Sequence, residues 1–301
     1  MTAEKLMNIL TIVTLFEMTI AMGLELKFSQ MVEVAKDWRL VLRAEIANFV
    51  IQPAAAVALL MILQPSPQAA IGVILLAACP AAHYAMPFTK IAKGNLAAAT
   101  GLLVILAAST VVFAPFVLGI LLPRFSGGQP VHVPADHVII TLVVIILLPL
   151  AIGMGTRALR PALADRIQKP ATQLSVLLNL ALIGTILAVQ GHQLAQIRAV
   201  GYASMLILAA ASVAIGWLMG GPRSENRVAL AQNTVLRNLG PGLVIATSQF
   251  AGTVVVPVIV AATFANGAAG FLAARWWGRK ASVKATLPEA RSASAERGPL
   301  S

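Results

Sequence analysis

The side chain best placed for chemistry in this sequence is Arg237, which lies within residues 232–242, QNTVLRNLGPG. The surrounding run is otherwise apolar and long enough to cross a bilayer. An arginine near the middle of a membrane span costs several kcal/mol, so such residues usually face a protein interior or a water-filled cavity. Gly240 and Pro241 follow within one turn and weaken the helix, and non-helical backbone at membrane depth persists only where protein or a cavity surrounds it. A charge beside a helix break predicts a binding site.

The composition is that of a membrane protein. Of the 301 residues, 58% are hydrophobic and 11% charged, whereas soluble domains contain about 25% charged residues. The net charge of +11 does not indicate nucleic-acid binding, because the basic residues interrupt apolar runs instead of clustering on a polar surface. Cys79 is the one cysteine, so no internal disulfide is possible, and no Cys/His spacing suits zinc. We expect no metal site and no cofactor.

Nine apolar segments are long enough to span a membrane at about 20 residues per crossing. They are residues 6–24, 40–63, 69–91, 97–122, 138–154, 174–189, 200–219, 228–248 and 254–273. The first is interpreted as a helix and not a signal peptide, because Glu17 interrupts it and the stronger positive flank, Lys27 and Lys36, follows it. The third and the eighth contain helix breaks. The sequence predicts an all-α, polytopic membrane protein with about nine transmembrane helices.

One transmembrane transporter domain is expected to comprise residues 1–275, with two halves at about 6–123 and 138–275. Helices one to four run opposite to helices six to nine, and the broken third helix corresponds to the broken eighth. This is the layout of an inverted-repeat secondary transporter, in which two broken crossing helices hold substrate and coupling ion near the midplane. Residues 276–301 are rich in serine, alanine and charges, and they are predicted to form a disordered cytoplasmic tail.

The distribution of the 22 Lys and Arg residues predicts the orientation. When they are assigned to alternate sides of nine helices, eighteen fall on one side and three, Lys5, Arg124 and Arg198, fall on the other. Only Arg237 is assigned to neither side, because it lies in the interior of a span. By the positive-inside rule, the amino terminus is outside and the carboxyl terminus is cytoplasmic. The expected location is the cell (inner) membrane.

The third span and its exit, residues 77–95, carry two prolines, Pro80 and Pro87, on either side of His83 and Tyr84. Each proline removes a backbone hydrogen bond and clashes with the preceding turn. One interpretation is a crossover point where freed carbonyls and amides face a ligand, with His83 and Tyr84 beside it. The other is a kinked helix in which His83 is hydrogen-bonded to the backbone. The break alone does not decide between them.

Four motifs together resemble those of the bile acid:sodium symporter family. The motifs are CPAAHYAMPFTKIAKGN at residues 79–95, MGL at 22–24, NFVIQP at 48–53 and RNLGPG at 237–242. They cover roughly residues 6–275 in the family's order and spacing. The resemblance begins at the family's second helix, which implies that this chain lacks the first of the usual ten. It also implies a transporter that binds a small organic anion between the crossed helices.

The positions at which this resemblance implies sodium ligands carry other residues here. For one sodium ion they are Ala85, Met86, Ala99, Leu103 and Asn233, and for the second they are Asn48 and Arg237. Sodium is a hard cation that needs oxygen ligands, which alanine, methionine and leucine side chains lack. An arginine in the second site repels a cation and can act as a tethered substitute for it. Sodium coupling is therefore doubtful, although Asn48 and Asn233 remain candidate ion ligands.

Glu17 lies in the middle of the first span, where an ionised carboxylate is costly. It is a candidate proton carrier, in which case the coupling ion would be a proton. It can equally pair with Arg237 or remain a neutral, hydrogen-bonded acid. Asn179 and Asn266 are also polar within spans, and we interpret them as helix-packing contacts.

The function favoured by these observations is secondary transport of a small organic anion across the lipid bilayer. Arg237 suits a carboxylate, as do half-helix ends whose amides carry partial positive charge. The predicted substrate-binding residues are Arg237, Asn238, Asn233, His83 and Tyr84. Three alternatives stay open: a proton-coupled or sodium-independent carrier, a non-transporting membrane sensor on the same scaffold, and a structural Arg237 that neutralises Glu17 or caps carbonyls. No catalytic residues are expected, since the sequence has no HExxH motif and no paired catalytic carboxylates.

Overall fold

The computed structural model describes residues 3–26, 28–80, 82–126, 135–250 and 252–296. Lys27 and Arg297, which the charge assignment places on the cytoplasmic side, lie outside the described residues. Within these ranges the chain forms helices and no strand. The helices are α1 (Ala3–Glu25), α2 (Phe28–Lys36), α3 (Trp38–Ile46), α4 (Gln52–Leu63), α5 (Pro67–Ala77), α6 (Ala85–Ile91), α7 (Leu96–Phe125), α8 (Ala135–Leu142), α9 (Leu148–Leu159), α10 (Pro161–Gln190), α11 (Ala199–Met219), α12 (Ser224–Val235), α13 (Leu239–Gln249) and α14 (Val255–Glu296).

Three short helical segments of other types extend these helices. A π-helical turn at Ala47–Ile51 joins α3 to α4, and a second at Val143–Leu147 joins α8 to α9. A 3-10 segment, Gly191–Gln196, follows α10. Each π-helical turn lets two helices continue as one membrane-crossing unit.

Seven helical segments of the described chain are long and apolar enough to cross a membrane. They are Lys5–Glu25, Trp38–Leu63, Leu96–Phe125, Val138–Leu159, Pro161–Gln196, Ala199–Met219 and Val255–Ser282. They correspond to seven of the nine predicted spans. The other two, the third and the eighth, are broken as the sequence indicates, into α5 and α6 and into α12 and α13. The prediction of an all-α, polytopic membrane protein is confirmed.

The carboxyl-terminal region differs from the predicted disordered tail. α14 continues beyond its membrane span to Glu296, so residues 276–296 are helical. This stretch contains many alanine, arginine, lysine and glutamate residues, which favour helix, and it extends an existing helix without a new nucleation step. The helix therefore continues past residue 275, and the domain boundary at that residue stays a prediction.

The helices pack in two groups. α1, α9 and α10 pack on one another, and we call them the three-helix group. α3–α7 and α11–α14 form the second, which we call the crossing group because it contains both broken helices. In the crossing group α5 lies against α14, and α12 lies against α7 and α11. The same order of helices occurs twice: an unbroken helix, a broken helix and a second unbroken helix follow one another from α4 to α7 and again from α11 to α14. The inverted relation of the two halves stays a prediction.

Two glycines allow α1 and α9 to approach closely. A Cβ atom on Gly153 would lie 2.4 Å from the carbonyl oxygen of Ile20 and 2.8 Å from Cα of Gly23. A Cβ atom on Gly23 would lie 2.6 Å from the carbonyl oxygen of Leu150. These obstacles are backbone atoms, which cannot rotate away. Small residues permit such contacts in membranes, where van der Waals packing stabilises helix association.

Arg157 of α9 ties the end of α1 to α10. Its Nε donates to the carbonyl oxygen of Leu24 at 2.6 Å, and its Nη2 donates to Oε1 of Gln168 at 2.6 Å. Its Nη1 forms an ion pair with Asp165. A guanidinium at the carboxyl end of α1 also complements the negative end of the helix dipole. The three-helix group is therefore held together as a unit.

We predict opposite effects for two glycine-to-alanine substitutions in α9. Gly153→Ala should lower Tm, because the new Cβ collides with the backbone of α1 and overpacking costs about 1–3 kcal/mol. Gly155→Ala should leave Tm unchanged or raise it, because no heavy atom lies within 4 Å of the added Cβ and alanine favours helix over glycine by up to about 1 kcal/mol. Thermal unfolding in detergent measures both. Equal shifts would show that the α1–α9 contact does not depend on Gly153.

Candidate functional site

The two broken helices are joined to each other where both are unwound. The backbone N–H of Ala82 donates to the carbonyl oxygen of Leu236, and the N–H of Asn238 donates to the carbonyl oxygen of Cys79, both at 2.9 Å. Backbone groups without a partner are costly at membrane depth. These two hydrogen bonds satisfy groups that the breaks release, and they fix the unwound segments to each other.

The prolines that follow the breaks lie at the beginnings of the second half-helices. Pro87 is the third residue of α6, and Pro241 is the third residue of α13, directly after Gly240. The N–H groups of the first turn have no partner within a helix, so a proline costs little there. Of the predicted break residues, only Pro80 lies in an unwound segment. The other three lie within one turn after a break.

Arg237 lies between the two hydrogen-bonded residues of its segment and is buried, with 2% of its surface exposed. Its Nη1 donates to the carbonyl oxygen of Ala77, at the carboxyl end of α5, at 3.2 Å. Its Nε and Nη2 are buried without a hydrogen-bond partner. In the described residues the only ion pair is Arg157–Asp165, so Arg237 has no carboxylate beside it. A buried charge without a counter-charge is strongly destabilising.

The sequence suggests that Glu17 can pair with Arg237. Among the residues that the structure describes, the two form no ion pair. The Oε2 atom of Glu17 accepts a hydrogen bond from Oγ of Ser175 at 2.7 Å. This contact links α1 to α10 within the three-helix group. Glu17 is therefore hydrogen-bonded within this group, and both a neutral acid and a proton carrier stay predictions.

Two cavities lie where the three-helix group meets the crossing group. Cavity A, of about 550 Å³, has walls from α1, α6, α7 and α10, and cavity B, of about 520 Å³, has walls from α10, α14 and the two unwound segments. His83, Tyr84 and Val176 line both cavities and so separate them. The ring of His83 lies 3.9 Å from that of Tyr84, whose hydroxyl accepts a hydrogen bond from Nδ2 of Asn179. Arg237 lies in the wall of cavity B.

Three of the five predicted substrate residues, His83, Tyr84 and Arg237, line cavity B. Asn233 and Asn238 are not among the residues that line cavity A or B. Asn238 instead begins α13, where its Oδ1 accepts a hydrogen bond from the N–H of Gly240 at 3.1 Å. The structure therefore gives both asparagines contacts within the helix scaffold, and substrate binding by them stays a prediction.

The side-chain amides of Asn233 and Asn48 donate hydrogen bonds to other helices, and one acceptor, Ala99, is a position discussed above as a possible sodium ligand. Nδ2 of Asn233 donates to the carbonyl oxygens of Ala99 and Ala229, both at 3.1 Å. Nδ2 of Asn48 donates to Oγ1 of Thr234 at 3.3 Å. Because a carbonyl oxygen can only accept, the amide of Asn233 must turn its N–H groups toward Ala99. The N–H groups of Asn233 therefore face the carbonyl oxygen of Ala99, while Oδ1 of Asn233 and Oδ1 of Asn48 are buried without a hydrogen-bond partner.

Three polar residues contribute more to the site than the sequence indicates. Asn179 and Asn266, interpreted above as packing contacts, both line cavity B. Gln52, which the sequence does not single out, shares a closed chamber of about 10 Å³ with Arg237 and Asn266. The Oε1 atom of Gln52 is buried without a partner, while its Nε2 donates to Oγ of Ser212 at 2.6 Å. An amide within an apolar span is the signal they share, but it does not distinguish a ligand from a packing contact.

A model of the sodium bile acid symporter family matches residues 12–197. The chain belongs to this family. It is 28% identical over 182 residues to a protein of Oryza sativa subsp. japonica described as a probable chloroplastic sodium/metabolite cotransporter, BASS2, and the match covers 58% of this chain and 42% of that protein. It is 24% identical over 273 residues to the uncharacterized sodium-dependent transporter YocS of Bacillus subtilis (strain 168), covering 87% of this chain and 81% of that protein. The chain thus spans less than half the length of the rice relative.

The family assignment confirms the resemblance carried by the four motifs. The family and both relatives are described as transporters, which agrees with the prediction of a multi-pass membrane transporter and not an enzyme.

We predict that the side chain of Asn238 stabilises α13 as its N-terminal cap. Asn238→Ala should lower the free energy of unfolding by about 1 kcal/mol, because the N–H of Gly240 loses its acceptor. Asn238→Ser should retain most of the stability, since serine is an equally good cap. Thermal unfolding of the two variants and the wild-type protein measures the difference. If serine and alanine have the same effect, the cap is not the stabilising contact.

Proposed function

We propose that this chain is a secondary transporter of a small organic anion and that Arg237 binds the carboxylate of that anion. The observation that carries the proposal is a buried guanidinium, in the wall of a cavity of about 520 Å³, that has two unpartnered nitrogens and no acidic residue paired with it among the described residues. A bound anion would supply the missing charge.

The free nitrogens of Arg237 match the geometry of a carboxylate. Nε and Nη2 form one edge of the planar guanidinium, and such an edge matches the two oxygens of a carboxylate. Nη1 is held by Ala77, so the plane is oriented before a substrate arrives. Both free nitrogens are closed off in this conformation. A carboxylate would therefore reach them when the helices around cavity B move.

The position of the cavities supports alternating access. Cavities A and B lie between the three-helix group and the crossing group, which are the two units that would rock against each other. Motion at this boundary would expose the residues of the unwound segments to one side of the membrane and then to the other. The charge distribution places the amino terminus outside and the carboxyl terminus in the cytoplasm, and we retain that orientation in the proposal.

We further propose that sodium does not bind at the two positions which the family resemblance marks for it. Asn233 directs N–H groups toward Ala99, and Arg237 brings a fixed positive charge to the second position. The relatives are described as sodium-dependent or sodium/metabolite transporters, so this chain would differ from them in coupling. The chain would then be either a sodium-independent carrier or a proton symporter. In the proton symporter, Glu17 is the candidate proton carrier.

Uptake of labelled short-chain carboxylates into liposomes containing the full chain tests the role of Arg237. Arg237→Gln should reduce uptake at least about tenfold, because loss of one partner of a buried charge pair costs about 2–5 kcal/mol and about 1.4 kcal/mol is tenfold. Arg237→Lys should recover part of it at most, since an ammonium lacks the planar edge. Arg198→Gln is the control, because Arg198 is exposed and lines neither cavity.

Two results would contradict the proposal. Wild-type uptake in Arg237→Gln would show that Arg237 is structural. Absence of uptake of every anion by the wild-type protein, under any gradient, would favour a non-transporting membrane sensor built on the same scaffold.

A second experiment tests the proposed independence from sodium. We predict that Tm is the same in sodium chloride and in choline chloride at equal concentration, and that uptake is the same with and without a sodium gradient. An ion that binds the folded state at 100 times its dissociation constant would stabilise it by about 2.7 kcal/mol, so binding would be visible. A higher Tm in sodium, or uptake that requires a sodium gradient, would contradict the prediction. Uptake that requires a proton gradient would identify the proton symporter.

A further inference from the structure

Cavity B opens sideways between α10 and α14. Its lining includes Leu180 of α10, of which 64% is exposed, and Phe264 and Phe271 of α14, of which 57% and 40% are exposed. These three side chains form the outer mouth of the cavity, whereas the buried Arg237 lies at its inner end. One opening of the cavity therefore lies on the outer surface of the helix bundle.

The mouth lies at the depth of the acyl chains. Leu180 is in the interior of the apolar span Pro161–Gln196, and Phe264 is in the interior of Val255–Ser282. Phe264 follows the start of its span by nine residues, or about 14 Å at 1.5 Å per residue. The hydrocarbon core of a bilayer is about 30 Å thick. Lipid chains, and not water, therefore face the opening.

Small residues keep the mouth open. Gly267 and Ala268 of α14 line the cavity, and a Cβ atom built on Gly267 would meet no heavy atom within 4 Å. α10 packs chiefly on α1 of its own group and makes few contacts with α14. The mouth of cavity B is thus a gap between the three-helix group and the crossing group.

The residues that line cavity B are apolar at its mouth and polar at its inner end. The mouth is apolar, with Leu180, Phe264 and Phe271, while the inner end carries Asn266 and Arg237. Arg237 retains two donor nitrogens without partners. A molecule that matches both ends has one anionic head and one apolar chain.

We propose that cavity B binds a single-chain monoanionic amphiphile of the fatty-acid kind, which enters sideways from the bilayer, with its carboxylate toward Arg237 and its chain through the mouth. This deepens the proposed function, since it rests on Arg237 as the anion-binding group and adds the route and the apolar half of the ligand. A two-chain zwitterionic phospholipid fits less well, because it lacks net negative charge for Arg237 and its second chain has no place in the cavity. Short water-soluble carboxylates would enter through cavity A instead.

Electron paramagnetic resonance with spin-labelled stearate tests the proposal without any transport measurement. In liposomes containing the full chain, the wild-type protein should immobilise labelled stearate more than labelled phosphatidylcholine. Gly267→Trp should fill the mouth and reduce the relative affinity for stearate about tenfold, and Arg237→Gln should do the same by removing the charge. Neither substitution should change the immobilisation of phosphatidylcholine.

The matched control is Gly184→Trp. Gly184 lies on α10, also has no heavy atom within 4 Å of an added Cβ, and lines neither cavity A nor cavity B, so this variant should bind stearate like the wild type. Gly267→Leu provides a second, smaller block if the tryptophan variant does not fold.

Each outcome decides the proposal. No preference of the wild-type protein for stearate over phosphatidylcholine, equal losses in Gly184→Trp and Gly267→Trp, or unchanged stearate binding in both Gly267 variants would overturn it. Stearate binding without uptake of any carboxylate would instead contradict only the proposed transport. We expect the Gly267→Trp variant to lose stearate binding. The same variant should still take up short carboxylates.

Discussion

The structure depends on a requirement that the bilayer imposes on broken helices: backbone groups released at a break must find partners within the protein. An unpaired N–H or C=O in hydrocarbon costs several kcal/mol. The two hydrogen bonds between the unwound segments, from Ala82 to Leu236 and from Asn238 to Cys79, satisfy one N–H and one C=O group at each break. Arg237 is the residue between Leu236 and Asn238, so both of its neighbours in the chain are fixed. Its guanidinium is therefore held at the crossing point and not on a flexible loop.

A fixed charge at this point has a consequence for energy coupling. A transporter draws on an ion gradient only if the ion binds on one side of the membrane and is released on the other. A guanidinium on the backbone can supply positive charge to an anion, but it cannot be exchanged between compartments. If Arg237 takes the place of a sodium ion, the scaffold can keep the anion site while losing the sodium gradient as its source of energy. Asn233 donates to the carbonyl oxygens of Ala99 and Ala229, which are thereby satisfied without an ion.

The sequence predicts some of this arrangement and cannot predict the rest. The long helices follow from runs of about 20 apolar residues, because the thickness of the bilayer sets that length. The breaks are located to within a turn only, since proline both interrupts a helix and favours its first turn, and Pro87 and Pro241 turn out to begin half-helices. The contact between Gly23 and Gly153, and the chamber shared by Gln52 and Arg237, require knowledge of which helices meet. No local pattern carries that information. The helical tail was missed because a charged, alanine-rich stretch is compatible with both disorder and the continuation of a helix.

The contacts within and between the two helix groups differ in strength, and this difference indicates where the molecule can move. Within the three-helix group, Arg157 makes two hydrogen bonds and an ion pair, and α1 meets α9 through backbone contacts at Gly23 and Gly153. Between the groups, the polar contacts include the hydrogen bond between Asn179 of α10 and Tyr84 beside the cavities, and that from Oγ1 of Thr247 in α13 to Oδ1 of Asn8 in α1. A single neutral hydrogen bond contributes a net stability of about 1 kcal/mol, which thermal motion can readily overcome. Tyr84 is also one of the residues that separate cavity A from cavity B, so the bond from Asn179 holds in place part of the wall between the two cavities.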